Sequence, residues 1–309
     1  MTEVIGIDLG GTAIKLGRFT EDGTCLQSLT VPTPQPAYPD ETIEMMLYAI
    51  EKLAPGMADL SAIGIGTPGP ADAAGRVAQI AINLEGWIEI PVATLIQSRT
   101  GVPVVVGNDA NCAGLGEKWL GAGRNYRDLV LLTLGTGVGG AVFLNDTLFI
   151  GREGSAGELG LITFDPAGHA CKSGNSGSLE QFLSGQAIRR ITGKEPKELG
   201  ILAAAGDRDA LEFWDKYGRN LGIGLTSVIY MLTPEVAIIG GGISASAKYF
   251  LPAAQQEIDR RVMSTSRPEF KLIEAQLGNQ AGMVGAAKLA WDLLERKQMG
   301  GRADGATGR

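Results

Sequence analysis

Three glycine-rich turns carry the first chemical signal in the sequence: Gly10-Gly11-Thr12, Gly135-Thr136-Gly137 and Gly240-Gly241-Gly242. Each of the first two pairs backbone N–H groups with a hydroxyl where no Cβ blocks a close approach, which is the chemistry a polyphosphate needs. Lys15 adds a cation near the first turn. For one such turn, a plain tight hairpin is an equal explanation. Three together favour a ligand, since the third follows an apolar strand at Val236–Ile239 and offers a flat backbone to a planar or phosphorylated group. A fourth signal is Asn108-Asp109, which ends the apolar run Val102–Gly107 and opens the helical segment Ala110–Leu120. At that position the helix amides and dipole keep a carboxylate ionised, and hence able to take a proton. The alternative of equal weight is that Asp109 only caps the helix.

Two familiar nucleotide motifs are absent. Lys194 follows Gly193 but leads into Glu195-Pro196, so there is no GxxxxGK[ST]. The run Gly135–Gly140 imitates GxGxxG, yet a strand at Ala141–Leu144 follows where a dinucleotide fold requires a helix. A nucleotide here would be held by hairpins.

The elements that must position these turns follow from periodicity. Val4–Leu9, Ala13–Phe19 and Leu26–Val31 read as a three-stranded meander. Four prolines at 32, 34, 36 and 39 lead to a helix with Asp40 as the expected cap. Short apolar runs at Ala62–Gly66, Val102–Gly107 and Leu129–Leu134 alternate with helical segments at Val92–Thr100 and Ala110–Leu120, which predicts α/β layering with mixed sheets. Further on, helices are expected over Leu179–Ile191, Glu198–Ala205, Asp209–Leu232, Ala247–Arg261 and Ala281–Arg296, with strands at Val236–Ile239 and Phe270–Glu274. Ile7-Asp8-Leu9-Gly10-Gly11-Thr12 is echoed by Leu132-Thr133-Leu134-Gly135-Thr136-Gly137, each ahead of a strand, which suggests two lobes built on one hairpin. The expected organisation is a lobe over residues 1–107 joined by the helix 281–297, a larger lobe over 108–280, and a disordered tail over 298–309.

Composition sets the class. A chain of 309 residues suits two lobes of about 150 residues each, and two lobes imply a central cleft. The 45 glycines far exceed the usual share of about 7% and demand a reason. With 27 basic against 34 acidic residues, nothing attracts nucleic acid phosphates. Three cysteines without CxxC spacing, and a strand starting at Val4 with no basic, apolar leader ahead of it, point to the cytoplasm. The most apolar stretch, Ile223–Ile243, is broken by Thr233-Pro234-Glu235 and glycines, so no membrane span is expected.

Asp8–Thr12 (DLGGT), Gly66–Pro70 (GTPGP), Gly107–Glu117 (GNDANCAGLGE), Thr133–Val142 (TLGTGVGGAV), Gly157–Gly160 (GELG), Ile238–Ser244 (IIGGGIS) and Ala281–Ala287 (AGMVGAA) occur in one order along the chain. In that combination the sequence resembles the bacterial ROK family of sugar kinases and repressors, its glucokinases in particular. The resemblance implies a two-lobed actin-like ATPase fold, related to ribonuclease H. It implies ATP and Mg²⁺ as cofactors, with Asp8 a water-mediated partner of the ion, and Asp8, Gly10, Gly11, Thr12, Lys15, Gly135, Thr136, Gly137, Gly240, Gly241 and Gly242 at the donor. It makes Asp109 the base toward a hexose, glucose first, and Gly66, Asn83, Asn108, Glu158 and Glu180 the sugar-binding residues. Trp87, near Asn83, is equally a core residue. A homodimer is the assembly implied.

The family's zinc motif is degenerate here. Where relatives read ExGH and CxCGxxGCxE, this chain has Leu161, Ser173 and Ser178 in place of three ligands, and Cys171 alone cannot hold a tetrahedral zinc. No zinc is expected, and His169 is expected on a surface loop. Other members of the family are repressors with an N-terminal helix-turn-helix, for which Asp8 leaves no room. A silent sugar sensor would lack the base or a phosphate loop, and both are present. Thr33-Pro34-Gln35-Pro36 is similar to a motif of polyphosphate-dependent glucokinases, which keeps polyphosphate open as the donor.

Overall fold

Three short runs rich in Val, Ile, Leu and Phe or Thr, separated by Gly and Asp turns, form an antiparallel meander of β1 (Glu3–Leu9), β2 (Ala13–Phe19) and β3 (Cys25–Pro32) in the computed structural model. The structure describes residues 2–57, 59–81, 84–171 and 173–305, with side chains as far as 298. After the meander come α1 (Pro39–Leu53), β4 (Leu60–Thr67), the small pair β5 (Ala78–Ile80) and β6 (Ile88–Ile90), α2 (Val92–Thr100), β7 (Val104–Asn108) and α3 (Asp109–Trp119). Pro39 stands at the start of α1 with Tyr38 as its cap residue. The expected cap, Asp40, instead lies in the first turn, where a negative charge meets the helix dipole.

The rest of the chain forms β8 (Leu129–Leu134), β9 (Val138–Leu144), β10 (Thr147–Leu148), α4 (Glu180–Leu183), α5 (Gly185–Thr192), α6 (Pro196–Ala204), α7 (Arg208–Leu232), β11 (Val236–Gly240), α8 (Ala247–Arg261), β12 (Lys271–Glu274) and α9 (Ala281–Gly305). The single helix expected over Leu179–Ile191 is two. Ser184 adopts extended backbone and its hydroxyl accepts the Ala187 amide at 3.1 Å, which ends α4 and caps α5. The apolar stretch from Ile223 divides into the end of α7 and β11. No helix among the described residues is long and apolar enough to cross a membrane.

The two five-stranded sheets share one plan. One has the order β3-β2-β1-β4-β7 and the other β10-β9-β8-β11-β12. In each, an antiparallel hairpin is followed by two parallel strands added on the other side of its first strand. The echo between residues 7–12 and 132–137 is therefore a repeat of topology. Parallel pairing needs a crossover, and helices between the strands supply it.

The chain divides into two units, Met1–Leu120 with Ile150–Ala156 and Gln280–Arg309, and Gly121–Phe149 with Gly157–Asn279. The first therefore runs past the expected boundary at 107, because α3 packs on α9, β4 and β7, all of the first unit. Its core holds Ile5, Ile7, Ile14, Leu16, Met46, Ile50, Ile63 and Ile65. The core of the second holds Leu132, Leu134, Trp214, Leu221, Leu225, Ile239 and Phe250. Each such side chain contributes about 1.5–3 kcal/mol on burial.

Glycines seat α9 directly on the first sheet. A Cβ on Gly6 or Gly64 would collide with the backbone of Met283 or Ala286, and one on Gly285 with the Cys112 carbonyl in α3. Much of the glycine excess thus serves close packing rather than phosphate binding. α9 continues to Gly305, so the tail expected to be disordered from 298 is helical as far as that residue. Extending a formed helix needs no new nucleus. Residues 306–309 lie outside the described residues.

Candidate active site

In the first unit the carboxyl ends of β1, β4 and β7 line up. Asp8 pairs in register with Gly66, and Gly66 with Gly107, so Asn108 and Asp109 emerge beside them. Asp8 also faces Lys15 across the β1–β2 hairpin, and Lys15 Nζ donates to Asp8 Oδ2 at 3.2 Å. The first turn of α9 comes close on another side, since a Cβ added to Gly282 would lie 2.8 Å from Asp8 Cγ.

The turn Gly10-Gly11-Thr12 is braced by the loop after β3. Thr33 Oγ1 donates to the Gly10 carbonyl at 2.6 Å, Gln35 Nε2 to the Gly11 carbonyl at 2.8 Å, and the Thr33 amide to the Thr12 carbonyl at 3.1 Å. All three carbonyls of the turn are thereby bonded to one segment. Gly11 and Thr12 remain exposed to solvent.

Asn108, not Asp109, is the cap of α3. Its Oδ1 accepts the Asn111 amide at 2.9 Å, and its Nδ2 donates to the Gly69 carbonyl at 3.0 Å and to Asp109 Oδ1 at 3.2 Å. Asp109 Oδ1 accepts the Ala110 amide as well, at 2.7 Å. One turn on, Cys112 is fully buried, and its Sγ lies over Gly66 and Gly107, within 3.2 and 3.4 Å of where their Cβ atoms would be. Burial pushes the Cys112 thiol far up, and the charges of Asp8 and then Asp109 push it further. Both carboxylates are therefore close to one neutral thiol. Neither Cys112 nor Gly282 stood out in the sequence; the nearest signal was their place within GNDANCAGLGE and AGMVGAA.

In the second unit the turn Gly135-Thr136-Gly137 joins β8 to β9, and Gly240 at the end of β11 pairs with Thr133. Gly241 has φ of +83°, and a Cβ there would strike Leu134, so only glycine lets this loop lie against the base of the hairpin. The two glycine turns of this unit meet at the carboxyl ends of two neighbouring central strands, β8 and β11. Glu158 precedes a short helical turn at Leu159–Leu161, and Glu180 opens α4. Burial raises the Glu158 carboxyl first and the Glu180 charge adds to it, so the two acids are neighbours. Glu180 also touches the hairpin, where its Oε2 accepts the Val138 amide at 2.9 Å.

The loop that carries the zinc motif in relatives is tied by hydrogen bonds. Asn175 Nδ2 donates to the Leu161 carbonyl at 3.1 Å and to Thr163 Oγ1 at 3.0 Å, and the Asn175 carbonyl accepts the Cys171 amide at 2.7 Å. His169 is exposed. Among the described residues no group of three or more His, Cys, Asp or Glu side chains could hold a metal ion. Trp87 is core, 1% exposed, with its indole N–H on the Ala37 carbonyl at 2.9 Å. Asn83 lies outside the described residues.

A mixed sheet repeated in two units, with a Gly/Thr hairpin between the first two strands of each, defines an actin-like ATPase fold. The chain belongs to the ROK family, whose model, described as "ROK family", matches residues 4–292. It is 32% identical to the glucokinase of Thermotoga maritima over 93% of this chain and 96% of that one. The solved structure of a ROK family glucokinase from Streptomyces griseus in complex with glucose and AMPPNP is similar, with a TM-score of 0.82 and 33% identity over 94% of this chain and 99% of that one. A ROK hexokinase from Thermus thermophilus has a TM-score of 0.83 and 33% identity, covering 96% and 100%.

Proposed function

We propose that this chain transfers the γ-phosphate of ATP to the 6-hydroxyl of a hexose, glucose first, with Asp109 as general base. The coarser statement, a sugar kinase, follows from the ROK family and the kinases it resembles. One observation carries the finer reading: Asn108 takes the cap and holds Asp109 Oδ1, which fixes the orientation of a carboxylate beside Gly66 and Asp8.

In this reading Asp109 accepts the proton of the hydroxyl as its oxygen bonds to phosphorus and the bond to the ADP oxygen breaks. A carboxylate of ordinary basicity suffices, because the transition state is loose and positioning supplies much of the rate. Glu158 and Glu180 accept hydrogen bonds from sugar hydroxyls, which orients the acceptor. The turns at 10–12, 135–137 and 240–242 present amides to the phosphates, where they stabilise the charge on the transferred group. Mg²⁺ suits Asp8, a hard oxygen donor paired with Lys15 at the end of β1, and when bound it neutralises charge on the donor phosphates.

The supporting comparison is a coupled assay of purified protein on a hexose panel, with ATP and polyphosphate as separate donors. Phosphorylation of glucose with ATP is expected, and no turnover with any sugar and either donor would defeat the reading. We read the assembly as a homodimer working in the cytoplasm, for which light scattering of the purified protein tests the mass.

A further inference from the structure

We propose that Glu180 is a positioning residue for the second phosphate turn, so that the carboxylate read as a sugar ligand also sets the backbone that receives the nucleotide. This rests on reading Gly135-Thr136-Gly137 as a nucleotide turn.

Both ends of that turn are held by one short stretch of chain. At the exit, Glu180 Oε2 accepts the Val138 amide at 2.9 Å. At the entry, the Gly185 amide donates to the Gly135 carbonyl at 2.8 Å, and the turn closes on itself through Gly135 N–H to the Gly137 carbonyl at 3.0 Å. Residues 180–185 therefore clasp residues 135–138, with an acceptor on one side and a donor on the other. The contact at Glu180 is close, since a Cβ on Gly137 would run into Glu180 Oε2.

The clasp stands on a fixed base. Leu179 and Leu183 are buried, the Tyr217 hydroxyl donates to the Leu183 carbonyl at 2.7 Å, and the Leu179 amide donates to the Ile162 carbonyl at 2.9 Å. A buried Leu183 and a buried tyrosine leave α4 little room to shift, so the Glu180 side chain is presented from a rigid support. A carboxylate bonded to an amide makes a charge-assisted hydrogen bond, about twice as strong as a neutral one. A carboxylate has two oxygens, so one can accept the Val138 amide while the other accepts a sugar hydroxyl. Sugar bound in that way holds the rotamer that supports the turn, and by linkage the nucleotide favours the sugar equally.

The test measures AMPPNP with Mg²⁺ by calorimetry, in the absence of any sugar, on the full-length wild type and on Glu180→Ala and Glu180→Gln. Alanine removes the acceptor and should weaken AMPPNP about ten-fold. Glutamine keeps a carbonyl oxygen for the Val138 amide, so it should stay within about three-fold of wild type for AMPPNP while raising KM for glucose. Should the alanine variant fail to fold, Glu180→Asp makes the same comparison, because it keeps the charge but is one methylene short of the amide. Unchanged AMPPNP affinity in the alanine or aspartate variant would confine Glu180 to the sugar and overturn the proposal alone. A wild type that binds no AMPPNP would overturn the nucleotide reading of the turn, and this proposal with it.

Discussion

Asn108 caps the helix that Asp109 opens, and the same amide side chain donates to Asp109 Oδ1 at 3.2 Å. Asn108 thus takes the Asn111 amide, and Asp109 accepts the Ala110 amide through Oδ1. Asp109→Asn should therefore fold normally, with its carboxamide still able to accept the Ala110 amide, while kcat falls by roughly 10² to 10⁴ and sugar binding survives. Steady-state kinetics with glucose titrated by calorimetry decides it, and near-normal turnover would remove Asp109 from the role of base.

Glu158 should make stability depend on pH with a definite sign. Burial, then the Glu180 charge, raises its carboxyl above the ordinary 4.5. A raised acid holds its proton more tightly in the folded chain, so its contribution is complete below the unfolded value and is lost as pH rises through the folded one. Glu158→Gln removes that loss, and its Tm should exceed that of wild type by about 2 °C or more at pH 7 to 8. Melting curves should converge as the pH drops below about 4. A gap that does not change with pH would mean that Glu158 is not desolvated.

The loop over residues 162–178 should hold its shape without zinc, through Asn175. Asn175→Ala loses bonds to the Leu161 carbonyl and Thr163 Oγ1, and should cost about 1–2 kcal/mol. A zinc-selective chelator with Mg²⁺ in excess should leave wild-type Tm and activity unchanged. Stoichiometric zinc in elemental analysis would contradict this.

Sugar discrimination should be looser than in a relative with histidine at this position, because Leu161 offers no hydrogen bond. Leu161→His should widen the spread of kcat/KM among glucose, mannose, N-acetylmannosamine and fructose, with a restored bond amounting to about 0.5–1.5 kcal/mol. Identical ratios in the two proteins would show that residue 161 does not face the sugar.

The hairpins were legible because a strand announces itself locally: the apolar runs Val4–Leu9 and Ala13–Phe19 and the Gly-Gly-Thr between them lie within twenty residues. The place of α3 was not. Its packing partner α9 is far away in sequence, so the order of elements along the chain does not show that α3 belongs with the first unit. Gly6, Gly64 and Gly285 were opaque for the same reason, since the need for a missing side chain is set by the surface that approaches it. Ser184 did carry a local sign, a capping serine inside an apolar run, which the helical spacing of its neighbours masked. The pairing of Glu180 with Val138 left no trace in spacing, because it joins residues on separate elements.

The two halves keep one blueprint yet brace their turns with side chains of opposite polarity. Thr33 and Gln35 hold the first by donating hydrogen bonds to its carbonyls, and both side chains are uncharged. Glu180 holds the second by accepting a hydrogen bond from the Val138 amide. A hairpin duplicated in topology is thus held in two ways: losing a side-chain donor loosens the first turn, and losing a side-chain acceptor loosens the second.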